Sequence, residues 1–335
     1  MDLSVIIPVY GRQRYIAACL RSVTRCPRDN MDMECIVVSD GSDNEMAAVA
    51  DRYIERDNRI RLVIMEAGET TDARNIGIEK ASGRYLLFLD AADRLCEDAW
   101  EQIEAAVEEE YADFVAFSHI TSRGNGKLRA QMLPISDVIS TDEREARWLM
   151  YTDSVLDSCG GKLFKSRIVR DNNIFFGMDF MFVSEYFEHS ESYLLTKAMI
   201  LYCPPRSGGA EGGCSGEERM DRIRFLYDAH VSAVKRYNDS ALTKGMRMYF
   251  LRMLTDLFSA YVTEGGRSRG EVDALYESIL GSAFLGRFLD EVDESGIASK
   301  SGRYAYQLLR EKDAAKLRRY LAVRTGNVAV IWRYF

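Results

Sequence analysis

An apolar run that ends abruptly in two acids constrains this chain more than any other feature. Residues 82–93 read Ser-Gly-Arg-Tyr-Leu-Leu-Phe-Leu-Asp-Ala-Ala-Asp, a turn followed by a buried-strand pattern that delivers Asp90 and Asp93 to its end. In α/β proteins the carboxyl ends of parallel strands form the edge where ligands bind. Burying an unpartnered carboxylate is costly, so an acid placed there usually faces a ligand, a cation or a donor-rich loop. The alternative is that Asp90 only caps a helix beginning near Leu95.

Strand and helix patterns alternate along the first ninety residues. Short apolar runs bounded by turn residues predict strands, and apolar residues three to four apart predict the helices between them. The predicted strands are 3–9, 34–38, 60–65 and 86–89, and the predicted helices are 15–24, 45–56 and 71–80. Strands joined by single helical crossovers predict an α/β fold, with a mostly parallel sheet flanked by helices.

The pattern changes near residue 210. A glycine-rich stretch at 207–216 predicts a loop or a hinge, and the apolar spacing beyond it is helical. The predicted helices there are 217–237, 242–264, 271–290 and 301–322. The chain is long enough for two domains, so we predict an α/β domain over 1–212 and a smaller helical domain over 213–335.

Charge is distributed unevenly along the chain. The net charge is −8, but the segment 300–335 holds nine basic and two acidic residues, which makes it +7 and the remainder −15. A basic end with interleaved aromatic residues could contact an anionic membrane or an acidic acceptor. The alternative is an ordinary solvated helix face. We expect no nucleic-acid partner.

Cysteine usage and the lack of long apolar stretches indicate the compartment. The seven cysteines are odd in number and form no Cys-x-x-Cys pair, which favours reduced structural thiols over disulfides or a zinc site. No basic region with a long apolar run begins the chain, and nowhere do about eighteen apolar residues run together. We therefore expect a cytoplasmic protein, peripheral to the inner face of a membrane at most.

The turn after the second predicted strand carries an acid. Asp40 is followed by Gly41 and Ser42, so the backbone can approach a ligand closely at this point. A carboxylate in that position can accept a hydrogen bond from an imide N–H such as that of uracil. An Asx turn before a helix explains the same residues equally well.

Two further segments carry charges suited to a nucleotide. Arg74 offers a guanidinium fork for a base carbonyl or a phosphate, although a surface ion pair is the alternative. Asp90 and Asp93 offer carboxylates for ribose hydroxyls or for a hard divalent cation.

Four short motifs stand in a fixed order along the first ninety residues. They are SVIIPVY at 4–10, VVSDGS at 37–42, ARNIGI at 73–78 and ASGRYLLFLD at 81–90. Together they resemble the family 2 glycosyltransferases of the GT-A fold, and the match continues more loosely through 161–165 and 177–179. The helical C-terminal third carries no motif of this kind.

The resemblance implies an activity and its partners. It implies an inverting transfer from a nucleoside-diphosphate sugar, UDP-linked, to a glycan or lipid-linked acceptor, of the kind used in bacterial surface polysaccharide synthesis. It also implies a divalent cation, Mg²⁺ or Mn²⁺, as cofactor.

The resemblance also assigns roles to residues. The nucleotide would lie against Pro8, Val9, Tyr10, Asp40, Gly41, Ser42, Arg74 and Asp90. Within that set Asp40 holds the base, and Asp90 is the first acid of the DXD motif. Asp179 matches the acid that deprotonates the acceptor hydroxyl, and Glu185 is the fallback.

Three departures from the family pattern favour a rival interpretation. Ser39 and Met178 stand where the family has acids, and Ala92 replaces the second acid of the DXD motif, which ordinarily ligates the metal. Asp93 is adjacent and could take over, so the predicted metal ligands are Asp90 and Asp93. The rival is a catalytically degenerate protein that binds nucleotide sugars and acts in binding or assembly.

A third class, the dinucleotide-binding oxidoreductases, shares the parallel sheet. Those enzymes carry Gly-x-Gly-x-x-Gly after the first strand, whereas this chain has Pro-Val-Tyr-Gly at 8–11. The sequence therefore argues against that class.

Overall fold

The computed structural model describes most of the chain. The described residues are 1–10, 15–27, 31–41, 44–66, 73–108, 112–122, 128–133, 139–152, 158–177, 179–204, 216–263, 268–297 and 299–324. Their contacts divide the chain into two compact units, Met1–Ala146 with Asp153–Gly213, and Arg147–Thr152 with Cys214–Phe335. The domain limits given above remain a prediction.

In the described residues ten strands form one sheet. They are β1 Leu3–Val9, β2 Met33–Ser39, β3 Ile60–Ile64, β4 Tyr85–Phe88, β5 Arg94–Leu95, β6 Phe114–Ser122, β7 Leu128–Gln131, β8 Ile139–Ser140, β9 Lys162–Lys165 and β10 Tyr193–Cys203. The strand order is β3-β2-β1-β4-β9-β6-β10-β5, with β7 paired to β6 and β8 paired to β10.

The helices of the first unit are interspersed with these strands. They are α1 Ile16–Val23, α2 Asn44–Ile54, α3 Ala73–Lys80, α4 Ala99–Glu108, α5 Glu143–Thr152, α6 Ser166–Asp171 and α7 Asp179–Glu188, although the end of α5 belongs to the second unit.

Strands β1 and β2 are buried along their whole length because helices cover both faces of the sheet. On one face, alternate residues of β1 such as Val5 and Ile7 join a core with residues of α1 and α4. On the other face Ile6 lies so close to Gly77 of α3 that a Cβ at position 77 would lie 2.3 Å from Ile6 Cγ2. A continuous apolar run is the sequence pattern of a strand with two covered faces.

The sheet is parallel through β3, β2, β1 and β4 and mixed beyond β4. Strand β9 runs antiparallel to both β4 and β6, whereas β6 and β10 are parallel to each other. The predicted α/β class, a sheet flanked by helices and followed by a helical region, is confirmed. The mixed part is built of strands that the first ninety residues could not indicate.

The structure corrects the start of the helix after the two acids. The alternative in which a helix begins near Leu95 is wrong, because Arg94–Leu95 forms β5 against β10 and α4 begins at Ala99. Asp90 therefore does not cap a helix at Leu95.

The second unit is helical, as predicted, but with more breaks. Its helices are α8 Gly216–Lys235, α9 Ser240–Thr263, α10 Arg269–Gly281, α11 Ala283–Glu291, α12 Lys300–Glu311 and α13 Ala314–Arg324. The predicted helix 271–290 is interrupted at Ser282, whose extended backbone and side chain cap α11. The predicted helix 301–322 is interrupted after Lys312, which has a left-handed φ of 55°. Of the helices in the described residues, none is long and apolar enough to cross a membrane.

Candidate active site

The ends of β1 and β2 meet the start of α3 at the carboxyl edge of the sheet. Val9 of β1 lies in register with Ser39 of β2, and the Asp40 amide donates to the Val9 carbonyl at 3.3 Å. The Tyr10 hydroxyl accepts a hydrogen bond of 2.8 Å from the Ala73 amide. The first turn of α3 is thereby joined to the end of β1, beside the turn that carries Asp40.

The turn after β2 presents Asp40 to solvent. Asp40 and Gly41 are exposed, and Gly41 has a φ of 73°, a left-handed conformation that favours glycine. The Ser39 side chain accepts a hydrogen bond from the Gly41 amide at 3.1 Å. Ser39, which stands where the family has an acid, therefore shapes this turn. Ser42 lies outside the described residues.

Arg74 is held at the same edge by contacts on two sides. Its Nη2 lies 2.8 Å from Asp90 Oδ1, and its Cζ lies 4.5 Å from the centroid of the Phe176 ring. Asn75 fixes the backbone of Phe176. The Asn75 side-chain amide donates to the Phe176 carbonyl at 2.8 Å and accepts from the Phe176 backbone N–H at 2.5 Å. Arg74 is 7% exposed, and its guanidinium cannot change position without breaking these contacts.

The two acids after β4 differ in accessibility. Asp90 is half-buried, whereas Asp93 is 1% exposed and its Oδ2 lies 3.6 Å from the Cys203 thiol. A hydrogen bond of 2.8 Å from the Asp93 amide to the Asp90 carbonyl closes the turn between them. Of the two, Asp90 is the acid that a ligand outside the sheet can reach.

The donor atoms at this edge limit how a divalent cation could be held. Among the described residues, no group of three or more His, Cys, Asp or Glu side chains could bind a metal ion. The Ala92 side chain has no ligating atom, and Asp93 is buried. One accessible carboxylate, that of Asp90, fits a Mg²⁺-type site in which substrate phosphates supply most of the remaining ligands.

Asp179 is the first residue of α7 and contacts Cys159. Its Oδ1 lies 2.6 Å from the Cys159 Sγ and 3.2 Å from the Cys159 backbone nitrogen. Cys159 precedes Gly160, which forms a bridge to Phe88 at the end of β4. Asp179 is thereby placed at the same sheet edge as the acid that follows β4.

The buried Cys159 thiol lies in the electric field of several charged side chains. Burial raises the pKa of this thiol, and the nearby Asp179 carboxylate raises it further. Arg74 lowers the pKa of the same thiol and Asp90 raises it, so all three charges act on one sulfur atom. Arg74 and Asp90 form an ion pair, Asp179 contacts Cys159, and the neighbouring Gly160 meets Phe88 at the end of β4, so these groups lie at one edge of the sheet. Asp40 stands at the end of β2 along the same edge.

Aromatic packing sets the position of α7. Phe182 of α7 packs edge-on against Phe88 of β4 and Phe164 of β9, with ring centroids 5.3 and 5.2 Å apart. Phe176 joins this cluster at 5.4 Å from Phe182. The cluster connects the segment before α7, the helix and two strands. Glu185, the fallback base, lies half-buried in the same helix.

The sequence pattern assigns no role in the site to three residues of this region. Cys159 falls among the predicted structural thiols, and neither Asn75 nor Phe176 has a predicted role. Asn75 and Phe176 are 101 residues apart in the chain, and Cys159 is 20 residues from Asp179. No local pattern spans such distances. The looser motif at 161–165, which begins two residues after Cys159, is the sequence signal nearest to that residue.

Comparison with known proteins provides independent findings. The profile of "Glycosyl transferase family 2" matches residues 4–171. Glycosyltransferase GlyG of Streptococcus pneumoniae is 31% identical over 127 residues, which is 37% of this chain and 42% of GlyG. Poly(ribitol-phosphate) beta-N-acetylglucosaminyltransferase TarS of Staphylococcus aureus is 21% identical over 274 residues, which is 78% of this chain and 46% of TarS. The chain therefore spans less than half the length of these relatives.

A solved structure extends the likeness over nearly the whole chain. The crystal structure of S. aureus TarS 1–349 in complex with UDP-GlcNAc has a TM-score of 0.64 at 19% identity, and the match covers 97% of this chain and 92% of that one. This likeness concerns the fold, and it confirms the predicted GT-A-type architecture.

Proposed function

The chain belongs to glycosyl transferase family 2, and we propose that it transfers a sugar, with inversion, from a UDP-linked donor to a hydroxyl of a glycan or lipid-linked acceptor. The observation that carries this proposal is that the Arg74–Asp90 ion pair and the Asp179–Cys159 contact lie at the same carboxyl edge of the sheet, joined through the pairing of Gly160 with Phe88. Transfer requires both a cationic group for the leaving diphosphate and a base for the acceptor. This cluster supplies both.

Donor binding is proposed along the ends of β1 and β2. The exposed carboxylate of Asp40 accepts the imide N–H of uracil. The half-buried Tyr10 lies beside it, whereas the predicted contacts Pro8 and Val9 are buried in β1. Gly41 lets the backbone approach the base. A UDP donor is supported by the UDP-GlcNAc complex of TarS, the protein with the similar fold.

Charge neutralisation is assigned to Arg74. When the bond between the anomeric carbon and the diphosphate breaks, negative charge accumulates on the phosphate oxygens. A guanidinium already held in place stabilises that charge without reorganising during the reaction. The Phe176 ring and the Asp90 carboxylate hold Arg74 in this way.

Proton transfer is assigned to Asp179. Its carboxylate takes the proton of the acceptor hydroxyl, whose oxygen forms a bond to the anomeric carbon on the face opposite the departing diphosphate. The nucleoside diphosphate leaves with the electron pair of the broken bond. Attack from the opposite face inverts the anomeric centre.

A divalent cation, Mg²⁺ or Mn²⁺, would be held by Asp90 together with phosphate oxygens of the donor. Such an ion would add to the neutralisation of the diphosphate. Asp93 stays a predicted ligand, although its burial means that the turn between it and Asp90 would have to open.

Location and acceptor contact are also proposed. We propose a cytoplasmic protein whose basic C-terminal segment contacts an anionic membrane or acceptor. In the described part of that segment, Arg318 is fully buried in an ion pair with Asp273, and Arg310 pairs with Asp290. These charges are already used within the helical unit, so membrane contact depends on the remaining basic residues.

The test is donor turnover. Purified protein is incubated with UDP-GlcNAc, UDP-glucose, UDP-galactose and GDP-mannose, with Mg²⁺, Mn²⁺ or EDTA, and release of nucleoside diphosphate is followed. We expect a UDP-sugar to be turned over, and Asp179→Asn to lower the rate about 10²- to 10⁴-fold with donor binding intact. Glu185→Gln is the matched control and should remain active.

The rival function predicts a different result. The acids missing at positions 39, 92 and 178 favour a protein that only binds the nucleotide sugar. Tight binding of a UDP-sugar without turnover under any metal condition would establish that rival. Loss of turnover in Glu185→Gln but not in Asp179→Asn would move the base to Glu185.

A further inference from the structure

We propose that Cys159 is a positioning residue for Asp179, holding one carboxylate oxygen so that the other can take the proton of the acceptor. This inference rests on the proposed function. It concerns a residue that neither the family resemblance nor the sequence pattern assigned to the site.

Two groups of Cys159 contact the same carboxylate oxygen of Asp179. The thiol and the backbone N–H of Cys159 both donate to Asp179 Oδ1, the N–H at 3.2 Å. Among the described residues no donor is found for Asp179 Oδ2. One oxygen is therefore restrained by two donors and the second remains for the acceptor hydroxyl.

The thiol can act only as a donor in this contact. Cys159 is 2% exposed, and burial together with the Asp179 carboxylate raises the pKa of the thiol well above its usual value. It is therefore protonated at neutral pH, and its S–H points its partial positive charge at the carboxylate. Hydrogen bonds to a charged group are stronger than those between neutral groups.

The backbone that carries the thiol is fixed on several sides. Gly160 bridges to Phe88 of β4, and the Gly161 carbonyl accepts a hydrogen bond of 3.0 Å from the Phe117 amide of β6. The fully buried Lys162 donates from its ammonium to the Gly160 carbonyl at 3.2 Å. The thiol is thus attached to the sheet itself.

The carboxylate needs such an attachment because of where it lies. Asp179 is the first residue of α7, and helix ends are the parts of a helix that fray most readily. Packing of Phe182 fixes the helix one turn further on. The Cys159 contact fixes the terminal residue, whose misplacement by even 1 Å would lower the rate.

The test separates positioning from packing. Cys159→Ala and Cys159→Val both remove the thiol donor, and Val keeps most of the side-chain volume. Cys159→Ser keeps a side-chain donor. We expect kcat to fall about tenfold or more in the first two, with the KM for the donor changed less than about twofold. Ser should restore kcat to within about threefold of the wild-type value.

A second buried cysteine provides the control. Cys35 is 0% exposed on β2, so Cys35→Ala makes a comparable cavity away from Asp179. It should lower the melting temperature without changing kcat. If Cys159 only fills the core, the Cys159 variants will behave like Cys35→Ala, with unchanged kcat in the folded fraction. That result would overturn the inference.

The outcomes also distinguish this inference from the proposed function. If the wild-type protein turns over a donor, Asp179→Asn abolishes that turnover, and Cys159→Ala and Cys159→Val leave it unaffected, the positioning role of Cys159 is overturned. The proposed function then stands. No turnover by the wild-type protein with any donor overturns the proposed function, and the positioning role with it.

Discussion

Two arginine–carboxylate pairs of nearly the same length stand at opposite edges of the sheet, and their burial is reversed. At the amino edge Arg61 Nη2 lies 2.9 Å from Glu34 Oε2, with the side chains 42% and 11% exposed respectively. At the carboxyl edge Arg74 Nη2 lies 2.8 Å from Asp90 Oδ1, with the side chains 9% and 28% exposed. The acid is covered at one edge and the arginine at the other.

The covered acid at the amino edge has no capacity left for a ligand. Glu34 Oε1 accepts hydrogen bonds from the Ser4 hydroxyl at 2.7 Å, the Ser82 amide at 2.6 Å and the Ser82 hydroxyl at 2.7 Å. These bonds join β1, β2 and the turn before β4. A carboxylate satisfied in this way stabilises the fold.

The open acid at the carboxyl edge has the opposite character. Asp90 keeps more than a quarter of its side chain exposed, and its partner Arg74 is fixed from behind by Phe176. A charge pair with a covered arginine and an accessible acid can exchange its internal contact for contacts with a ligand. The comparison therefore teaches that burial, more than the ion-pair distance, separates a pair whose acid is closed to a ligand from a pair whose acid is open to one.

The largest effect expected for these two ion pairs comes from removing Arg74, with Arg61 as the matched control. Arg74→Ala should lower kcat/KM for the donor about 10²- to 10³-fold, because a preorganised cation at the diphosphate is lost. Arg61→Ala should leave kcat/KM within about twofold, since its exposed side chain contributes at most about 1 kcal/mol to stability. Steady-state release of nucleoside diphosphate measures both. Equal losses in the two variants would break the comparison.

The next effect is on stability. Glu34→Gln should lower the free energy of unfolding by about 2 kcal/mol, because it removes the charge that several buried donors share. The turnover of the folded fraction should not change. Urea denaturation measures the loss, and Glu79→Gln, which alters an exposed acid paired with Lys80, is the matched control. An unchanged unfolding free energy in Glu34→Gln would contradict the structural role.

The same variant predicts a pH dependence. Burial raises the pKa of Glu34, but hydrogen bonds from Ser82 and Ser4 outweigh it and hold the pKa below its usual value of 4.5. A carboxylate with a depressed pKa in the folded state contributes stability above its unfolded pKa and loses it as the pH falls through the folded value. The stability difference between wild type and Glu34→Gln should be constant near neutrality and shrink below about pH 4.5.

The smallest expected effect concerns Asp40. Asp40→Ala should weaken UDP binding about tenfold, the loss of one hydrogen bond to a charged acceptor. Because Asp40 is exposed, the melting temperature should stay unchanged. Isothermal titration with UDP measures the affinity, with the exposed Asp51→Ala as control. Unchanged affinity in Asp40→Ala would remove it from the nucleotide site.

Much of the first half of the fold could be predicted because its signals are local. The strand predicted over 3–9 is β1, Leu3–Val9, and that predicted over 34–38 is β2, Met33–Ser39. A strand covered on both faces requires a mostly apolar run, and both segments carry one. The α/β class followed from these runs and the helices between them.

Boundaries set by distant partners could not be predicted. The pairing of Leu95 with Leu201 makes a strand of a segment that looked like a helix start. A helical period also ran across Ser282 and Lys312, where the backbone leaves the helix. Apolar spacing indicates which residues are buried, but it does not indicate where one residue leaves the helical conformation.

The amino-acid sequence by itself determined the four parallel strands of the first ninety residues and which charged groups follow them, because apolar runs and turn residues act within a few positions of one another. Tertiary structure alone decided that Arg74 is covered while Asp90 stays accessible, and that a thiol from another segment contacts Asp179. Those outcomes depend on how side chains far apart in the chain pack against one another. Residues close together in the sequence do not determine which distant side chains they will contact.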